Sequence, residues 1–578
     1  ITGCIKDKSD EPLPGVNIVA KGTSLGVIRD ADGRYSIHVP DRNAILVFSY
    51  IGYTTQEIII GNRSLLDVIL DESNYELEEL VVVGYGTQKK GNLTSAISTI
   101  KNEDILTTTH TSIGGRLQGK VSGLQIRQNS GTPGSFDATI NIRGFGGALY
   151  VIDGIQSTAK EFQQLNPDDI ENISVLKDGS AAIYGLNAGN GVILVTTKRG
   201  NTEKARFKYS GTVSFSSPTE MPQMMNAYQW LQMRNDAAVN MGNAPIYTKE
   251  ELENWRIGAP GYQSTDWYDE TMKKSAVSNQ HTLSAEGGSE KVNYYASFGY
   301  MSDPGLLKSN DMNYEQYSGR VNLTAKLTNR LTAGIELYGL YSETEYPAWD
   351  FYSIMRGAVS LQPIHAPYAN NNPEYPAYVF DGQAWNSVAT SDADLGGYAK
   401  HRNKTYRTAA SLTYDVPFID GLQIKGLASY QSGFNTSKSL IKSFNMYTYD
   451  ETFDNYIPFV YGHPTQLHNA WTDDNSLLLP AQLMYKKTLA DRHNIGATAV
   501  YEERNNWSRN SSLMREFQFY TIDQMDFGDT DNQKNGGNEG EEGYRSLVGR
   551  ATYDYMGKYM LELAARYDGS YRYHPDKR

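Results

Sequence analysis

From about residue 205 onward the chain alternates apolar and polar residues with a period of two, and this constrains the fold more than any other feature. In 291–301, Val292, Tyr294, Ala296, Phe298 and Tyr300 alternate with Asn293, Tyr295, Ser297 and Gly299. In 317–327, Tyr317, Gly319, Val321, Leu323, Ala325 and Leu327 alternate with Ser318, Arg320, Asn322, Thr324 and Lys326. A strand turns successive side chains to opposite faces, so each segment reads as a strand with one apolar face and one wet face. About eleven such segments occur, near 205–217, 277–287, 291–302, 313–327, 330–345, 402–416, 421–433, 477–489, 492–504, 543–555 and 558–570.

The connections sharpen this reading. Short links fall at Gly287–Glu290, Thr328–Asn329, Pro417–Gly421, Ala490–Asp491 and Met556–Lys558, and long ones at 218–276, 303–312, 346–401, 434–476 and 505–542. Strict alternation of short and long predicts an up-and-down transmembrane barrel with tight turns at one rim and loops at the other; a soluble sandwich has no reason to keep it. No window holds 18 consecutive apolar residues, but a barrel crosses on strands of about 9–11 residues with only every second one facing lipid. The hydrophobic fraction of 39% fits that economy, being below the roughly 45–50% of soluble domains. A net charge of −13 argues against a nucleic-acid partner, and Cys4, the single cysteine, excludes an intrachain disulfide framework. Eleven strands left as an open sheet would bare two edges in hydrocarbon. The expectation is therefore the N-terminal part of a longer protein, whose remaining strands need roughly as many residues again.

Three other segments precede these strands. Residues 1–71 carry short alternating runs (Val16, Ile18, Tyr35, Ile37, Val39) between turns at Pro12–Gly15 and Asp30–Gly33, which predicts a small β-sandwich. Residues 72–90 read as an acidic linker leading into one sticky strand, Leu80-Val81-Val82-Val83. Residues 91–200 mix apolar runs with Gly-rich loops and predict a compact α+β domain; Pro167-Asp168-Asp169-Ile170-Glu171 has helix-start chemistry. The nine histidines are scattered, and no nucleophile elbow, zinc pair or glycosidase carboxylate pair stands out, so no catalysis and no cofactor is expected. Asp526 to Glu542 reads as a solvated acidic loop, with weak metal binding as the alternative.

Read together, Glu78 to Lys90 (EELVVVGYGTQKK), Leu117–Leu124 (LQGKVSGL), Asn141–Gly144 (NIRG), Tyr150–Gly154 (YVIDG), Val175–Gly179 (VLKDG), Gly191–Lys198 (GVILVTTK) and Arg566–Ser570 (RYDGS) closely resemble the SusC/RagA-like TonB-dependent outer-membrane transporters. The resemblance covers essentially the whole chain. It implies a carboxypeptidase-regulatory-like extension at 1–71 in the periplasm, a TonB box at Glu79, Leu80, Val81, Val82, Val83, Gly84 and Tyr85 within the 72–90 linker, a plug at 91–200, and about the first half of a 22-stranded barrel from 201 to 578. It also implies the outer membrane of a Gram-negative bacterium, a SusD-like lipoprotein lid, energy from a TonB–ExbB–ExbD complex, and import of oligosaccharides; a dimer of transporter–lid pairs is a further expectation. The alternatives are a RagA-type peptide importer and a siderophore or cobalamin receptor.

Two sets of residues are candidates for facing substrate. Asn141, Arg143 and Gly144 could present a cation on the plug; the rival reading is that Arg143 anchors the plug to acidic wall residues. In the long loops, Trp349, Tyr352, Tyr375, Tyr378 and Trp385 are candidates for stacking on sugar rings; the rival reading makes them girdle or lid-contact residues.

Overall fold

The computed structural model describes residues 1–7, 12–13, 15–21, 26–28, 34–39, 44–50, 53, 55–71, 80–83, 86–89, 96–177, 179–201, 204–382, 384–462, 464–490, 492–520, 522–574 and 576. The chain divides into two compact units, 1–81 with 87–93, and 82–86 with 94–578. In the first, a four-stranded sheet (Gly26–Ile28, Asn17–Ala20, Ile45–Ser49, Gln56–Ile59) and a three-stranded one (Arg34–Ser36, Thr2–Lys6, Val68–Ile69) share one core. The alternating residues seen in sequence supply it: Val16, Ile18, Tyr35 and Ile37 are buried, with Leu46 and Phe48 from the neighbouring strand. Asp30–Gly33 lies outside the described residues. Leu80–Val83 and Gly86–Lys89 are strands of a separate two-stranded sheet.

The second unit has an inner domain and a wall. The inner domain is built on a five-stranded sheet ordered Ile97–Lys101, Ile170–Leu176, Val192–Thr197, Leu149–Ile152, Ile155–Ser157. Val192–Thr197 is central and buries Val192 to Val195 without interruption, the mark of a strand covered on both faces. Helices Ile113–Leu117 and Ala159–Gln163 close the core with Ile113, Leu117 and Phe162. Residues 167–171 do not start an α-helix. Asn166 caps a single 3₁₀ turn, Pro167–Asp169, and the chain then enters the β-branched strand Ile170–Leu176. The two acids of that turn have another use, described below.

The wall is an eleven-stranded sheet: β1 Arg206–Ser216, β2 Ala276–Gly288, β3 Val292–Pro304, β4 Asn313–Lys326, β5 Leu331–Pro347, β6 Gly397–Asp415, β7 Leu422–Ile441, β8 Thr465–Leu489, β9 His493–Phe517, β10 Gln533–Tyr555 and β11 Tyr559–Ser570. Every strand pairs antiparallel with its chain neighbours and in chain order, as in a partial barrel. The tight turns at one rim include left-handed Gly421, Ala490 and Met556-Gly557. At that rim the strand ends match the sequence pattern closely; at the other rim β8 begins at Thr465 and β9 runs on to Phe517. The extra length is mostly polar, as in Arg504-Asn505-Asn506-Trp507-Ser508-Arg509, and keeps no regular alternation, so periodicity could not reveal it. For the same reason Gln533–Glu542, expected as acidic loop, is paired strand along β9. The loops at this rim are themselves folded, with helices Ala227–Asn240, Lys249–Ile257 and Phe351–Ser360 and a hairpin Phe444–Asp450/Asn455–Tyr461.

The wall's two faces are inverted relative to a protein folded in water. On β4 the buried residues are Tyr314, Gln316, Ser318, Arg320 and Asn322, while Val321 is exposed. Phe207, Val213, Leu283, Phe298, Leu412, Leu483, Leu547 and Leu563 likewise face outward. No described helix is long and apolar enough to cross a membrane, and the strands carry the apolar belt instead. Replacing outward-facing Leu483 with Arg is expected to cost about 2–4 kcal/mol in equilibrium unfolding from lipid bilayers, with Leu483→Phe nearly neutral.

Candidate functional site

The junction between inner domain and wall concentrates the buried charge. The hairpin joining Leu149–Ile152 to Ile155–Ser157 turns on Asp153-Gly154, whose φ values of 53° and 86° are both left-handed, as two-residue hairpin loops require. Thr197 then fixes the Asp153 carboxylate, its N–H donating at 2.9 Å and its hydroxyl at 2.7 Å. Asp169, on the 3₁₀ turn, accepts from the Tyr295 hydroxyl at 2.9 Å. Between the two carboxylates lies Arg320 of β4, 3.4 Å from Asp169 Oδ2 through Nε and 3.6 Å from Asp153 Oδ2 through Nη1. Its guanidinium also lies over the Tyr338 ring, 4.8 Å from the centroid. All three charged side chains are at most 4% exposed.

Further contacts surround this cluster. Lys208 of β1 meets Asp168 at 2.8 Å; Arg199 bridges Glu336 of β5 and Asp153; Asn322 donates to Thr197 Oγ1 at 3.0 Å and to the Lys198 carbonyl at 2.6 Å. On another side Gln431 of β7 donates to Glu161 at 2.5 Å, and Arg407 of β6 donates to Ser157 Oγ at 3.2 Å. Arg116 spends its donors on the His110 and Thr108 carbonyls and on Gln280 of β2; burial pulls its guanidinium down to about 10, still protonated at neutral pH. Toward the loop rim, Tyr346 donates to the Pro133 carbonyl at 2.6 Å. A cavity of about 460 Å³ opens there, lined by Lys160 and Gln164 of the inner domain and by Ser342, Thr344, Asn403 and Asn435 of the wall.

This junction is made of directional polar bonds. Burying ions costs several kcal/mol each, which their attraction roughly offsets, so the pairs contribute register more than net stability. Such contacts can also be exchanged for water without exposing apolar surface.

Comparisons with known proteins fit this architecture. The TonB-dependent receptor plug domain matches residues 89–192, and the CarboxypepD_reg-like domain matches 1–82. The TonB-dependent receptor SusC of Bacteroides thetaiotaomicron is 32% identical over 404 residues, spanning 67% of this chain and 38% of that protein. TonB-dependent receptor P39 of Formosa agariphila is 28% identical over 99% of this chain and 53% of that protein. The chain belongs to the SusC-like TonB-dependent receptors. It spans about half the length of the curated relatives it matches. The solved RagAB peptide importer in its open-open state shares the fold, with a TM-score of 0.71 and 20% identity over 86% of this chain and 57% of that one.

The receptor's sequence-predicted site residues fall in three places. Of the TonB-box residues, Leu80, Val81, Val82 and Val83 form the short strand, while Glu79, Gly84 and Tyr85 lie outside the described residues. Asn141 lies within the plug strand Thr139–Ile142, and Arg143 and Gly144, with φ of 53° and 79°, make the exposed turn after it. Elsewhere on this junction plug carboxylates meet wall cations at Asp168–Lys208 and at Asp153 and Asp169 with Arg320, while Arg199 of the plug meets Glu336 of the wall. Among the loop aromatics, Trp349 stacks on Tyr461 and Trp385 packs against the same ring, 5.1 and 4.3 Å between centroids. Tyr375 stacks on Tyr456 at 3.8 Å and Tyr378 on Phe459 at 4.5 Å. These four therefore spend ring faces on one another's loops; Tyr352 stands 70% exposed with Arg356 over its ring.

Asp153, Asp169 and Arg320 were missed as site residues. The sequence signals were two separate ones, an arginine on the wet face of β4 and the Asp153-Gly154 pair between two apolar runs. Arg320→Ala takes from buried Asp169 its cation and leaves Asp153 only the more distant Arg199, and is expected to weaken plug docking by about 3–5 kcal/mol. Calorimetry would read a lower unfolding temperature, and planar bilayers a raised ion conductance.

Proposed function

We propose that this receptor performs TonB-dependent active import of an oligosaccharide across the outer membrane, with a SusD-like lipoprotein capturing substrate at the loop rim. The observation that best supports this is the plug's attachment through exchangeable polar bonds around Arg320, because a plug that must move under force and return is better docked by such bonds than by an apolar seam. The N-terminal extension and TonB box lie in the periplasm in this reading. Residues 79–85 add as a strand to TonB, whose main chain pairs with that of the apolar run Leu80–Val83. TonB–ExbB–ExbD supplies the force that shifts the plug, and transporter–lid pairs assemble as dimers.

Substrate passes from the lid to the loop rim and then to the cavity above the plug. Its lining of hydroxyls and amides at Ser342, Thr344, Asn403, Asn435 and Gln164 suits the dense hydroxyls of a glycan. Tyr352 offers its exposed ring to an apolar sugar face. Trp349, Tyr375, Tyr378 and Trp385 shape the loops that present it, through the stacks described above. Asn141, Arg143 and Gly144 present polar groups on the plug surface.

Val82→Pro removes a main-chain donor from the strand. Uptake of radiolabelled substrate by cells carrying it is expected to fall to background, while substrate binding by the purified receptor–lid complex stays at the native level. Normal uptake would remove strand addition from the account. A binding panel of glycans and peptides then separates oligosaccharide from peptide import.

A further inference from the structure

The outward face of β6 carries a pattern that transport does not use. Read from the tight-turn rim, its outward residues are Tyr414, Leu412, Ala410, Thr408 and Tyr406, then Lys404, Arg402 and Lys400. An apolar stretch bounded by two tyrosines is a membrane crossing with an interfacial ring at each end. The three cations stand immediately beyond the ring on the loop-rim side.

Neighbouring strands fix the depth of that boundary. His281, Tyr300, Tyr317 and Tyr341 form a continuous row across β2 to β5, with successive ring centroids 6.5, 5.0 and 6.2 Å apart. Directly across from Tyr341 in the ladder is Lys404, and across from Lys404 is Phe434. An exposed ammonium thus takes the next place in an aromatic row, at the level where lipid headgroups lie.

Several other cations near this rim have carboxylate partners, and Lys442 and Arg515 donate to the Asp394 and Met525 carbonyls. Arg402 meets Glu343 at 3.0 Å, Lys400 meets Glu345 at 2.6 Å, and Lys438 meets Asp523 at 2.8 Å. Farther round, Arg545 meets Glu503 at 3.2 Å and Arg509 meets Glu539 at 3.0 Å. Among the described residues no carboxylate pairs with Lys404. Glu343, the nearest acid in register, already takes Arg402 and the Tyr341 hydroxyl. Lys404 and the spare N–H groups of Arg402 therefore leave one unmatched positive charge beside the hydrocarbon edge.

We propose that Lys404 and Arg402 form a binding site for a phosphorylated lipid headgroup in the leaflet at the loop rim. The phosphate accepts charge-assisted hydrogen bonds from Lys404 Nζ and Arg402 while the acyl chains lie along Tyr406, Thr408 and Ala410. On β9 and β10 the ladder row that contains Lys404 carries the closed pair Arg509–Glu539, which leaves no charge for a phosphate. The inference rests on the wall crossing a membrane and is independent of what the receptor imports.

Native mass spectrometry of the complete receptor, titrated with diphosphoryl lipid A and separately with phosphatidylcholine, tests it. The native receptor should retain lipid A in preference to phosphatidylcholine. Lys404→Gln should lower lipid A retention about fivefold and the double variant R402Q/K404Q about 25-fold, at roughly 1 kcal/mol per cation, with phosphatidylcholine retention unchanged. Heat-modifiable gel mobility confirms that each variant is folded. Equal retention of the two lipids by the native receptor, or undiminished lipid A retention by the folded double variant, overturns the proposal.

Discussion

Hydrocarbon offers no hydrogen-bond partner to a backbone, so every N–H and C=O of the wall within the membrane must be satisfied by the next strand, and the rest of the structure follows from that requirement. Consecutive antiparallel pairing from β1 to β11 meets it with the shortest connections available at one rim. Loops long enough to fold on their own are confined to the other. The pleat then sends alternate residues to lipid and to the interior, which makes apolar residues outward and polar ones inward a condition of stability.

A polar interior changes what docking a plug requires. An apolar seam would need an apolar patch on the wet face, so the plug is instead matched to the wall bond by bond. Arg320 between Asp153 and Asp169, Lys208 on Asp168 and Asn322 on Thr197 place charge and amide groups where the strand pattern already demands polar residues. The left-handed turn at Asp153 and the capped turn at Asn166 are small local devices that hold two carboxylates at the rim of the plug sheet. The acids after Pro167 thus serve the wall and not a helix dipole.

Much of this was legible in the sequence because lipid imposes its own grammar. The order and number of wall strands follow from alternation, and the core of the N-terminal unit from Val16, Ile18, Tyr35 and Ile37. The limits of legibility lie where that grammar stops. In their loop-rim extensions β8, β9 and β10 are mostly polar with a few apolar residues such as Leu467 and Phe517 packed under loops, so Thr465–Ser476, Asn505–Phe517 and Gln533–Glu542 are strand without regular alternation. Which wet residues touch the plug depends on register between distant segments: Arg320 and Asn322 look no different in sequence from the neighbouring polar Thr324. The loop aromatics were visible as a composition, but their stacking on Tyr456, Phe459 and Tyr461 is a tertiary fact.

The most direct test of the wall is a scan of single nitroxide side chains through residues 408–414 of β6 in the complete receptor, reconstituted in lipid vesicles. Collision with dissolved oxygen, which concentrates in hydrocarbon, is expected to be high at 408, 410, 412 and 414 and low at 409, 411 and 413, where the chain faces the interior. Uniform access of a water-soluble nickel complex to both sets would contradict a lipid-facing wall and the account built on it.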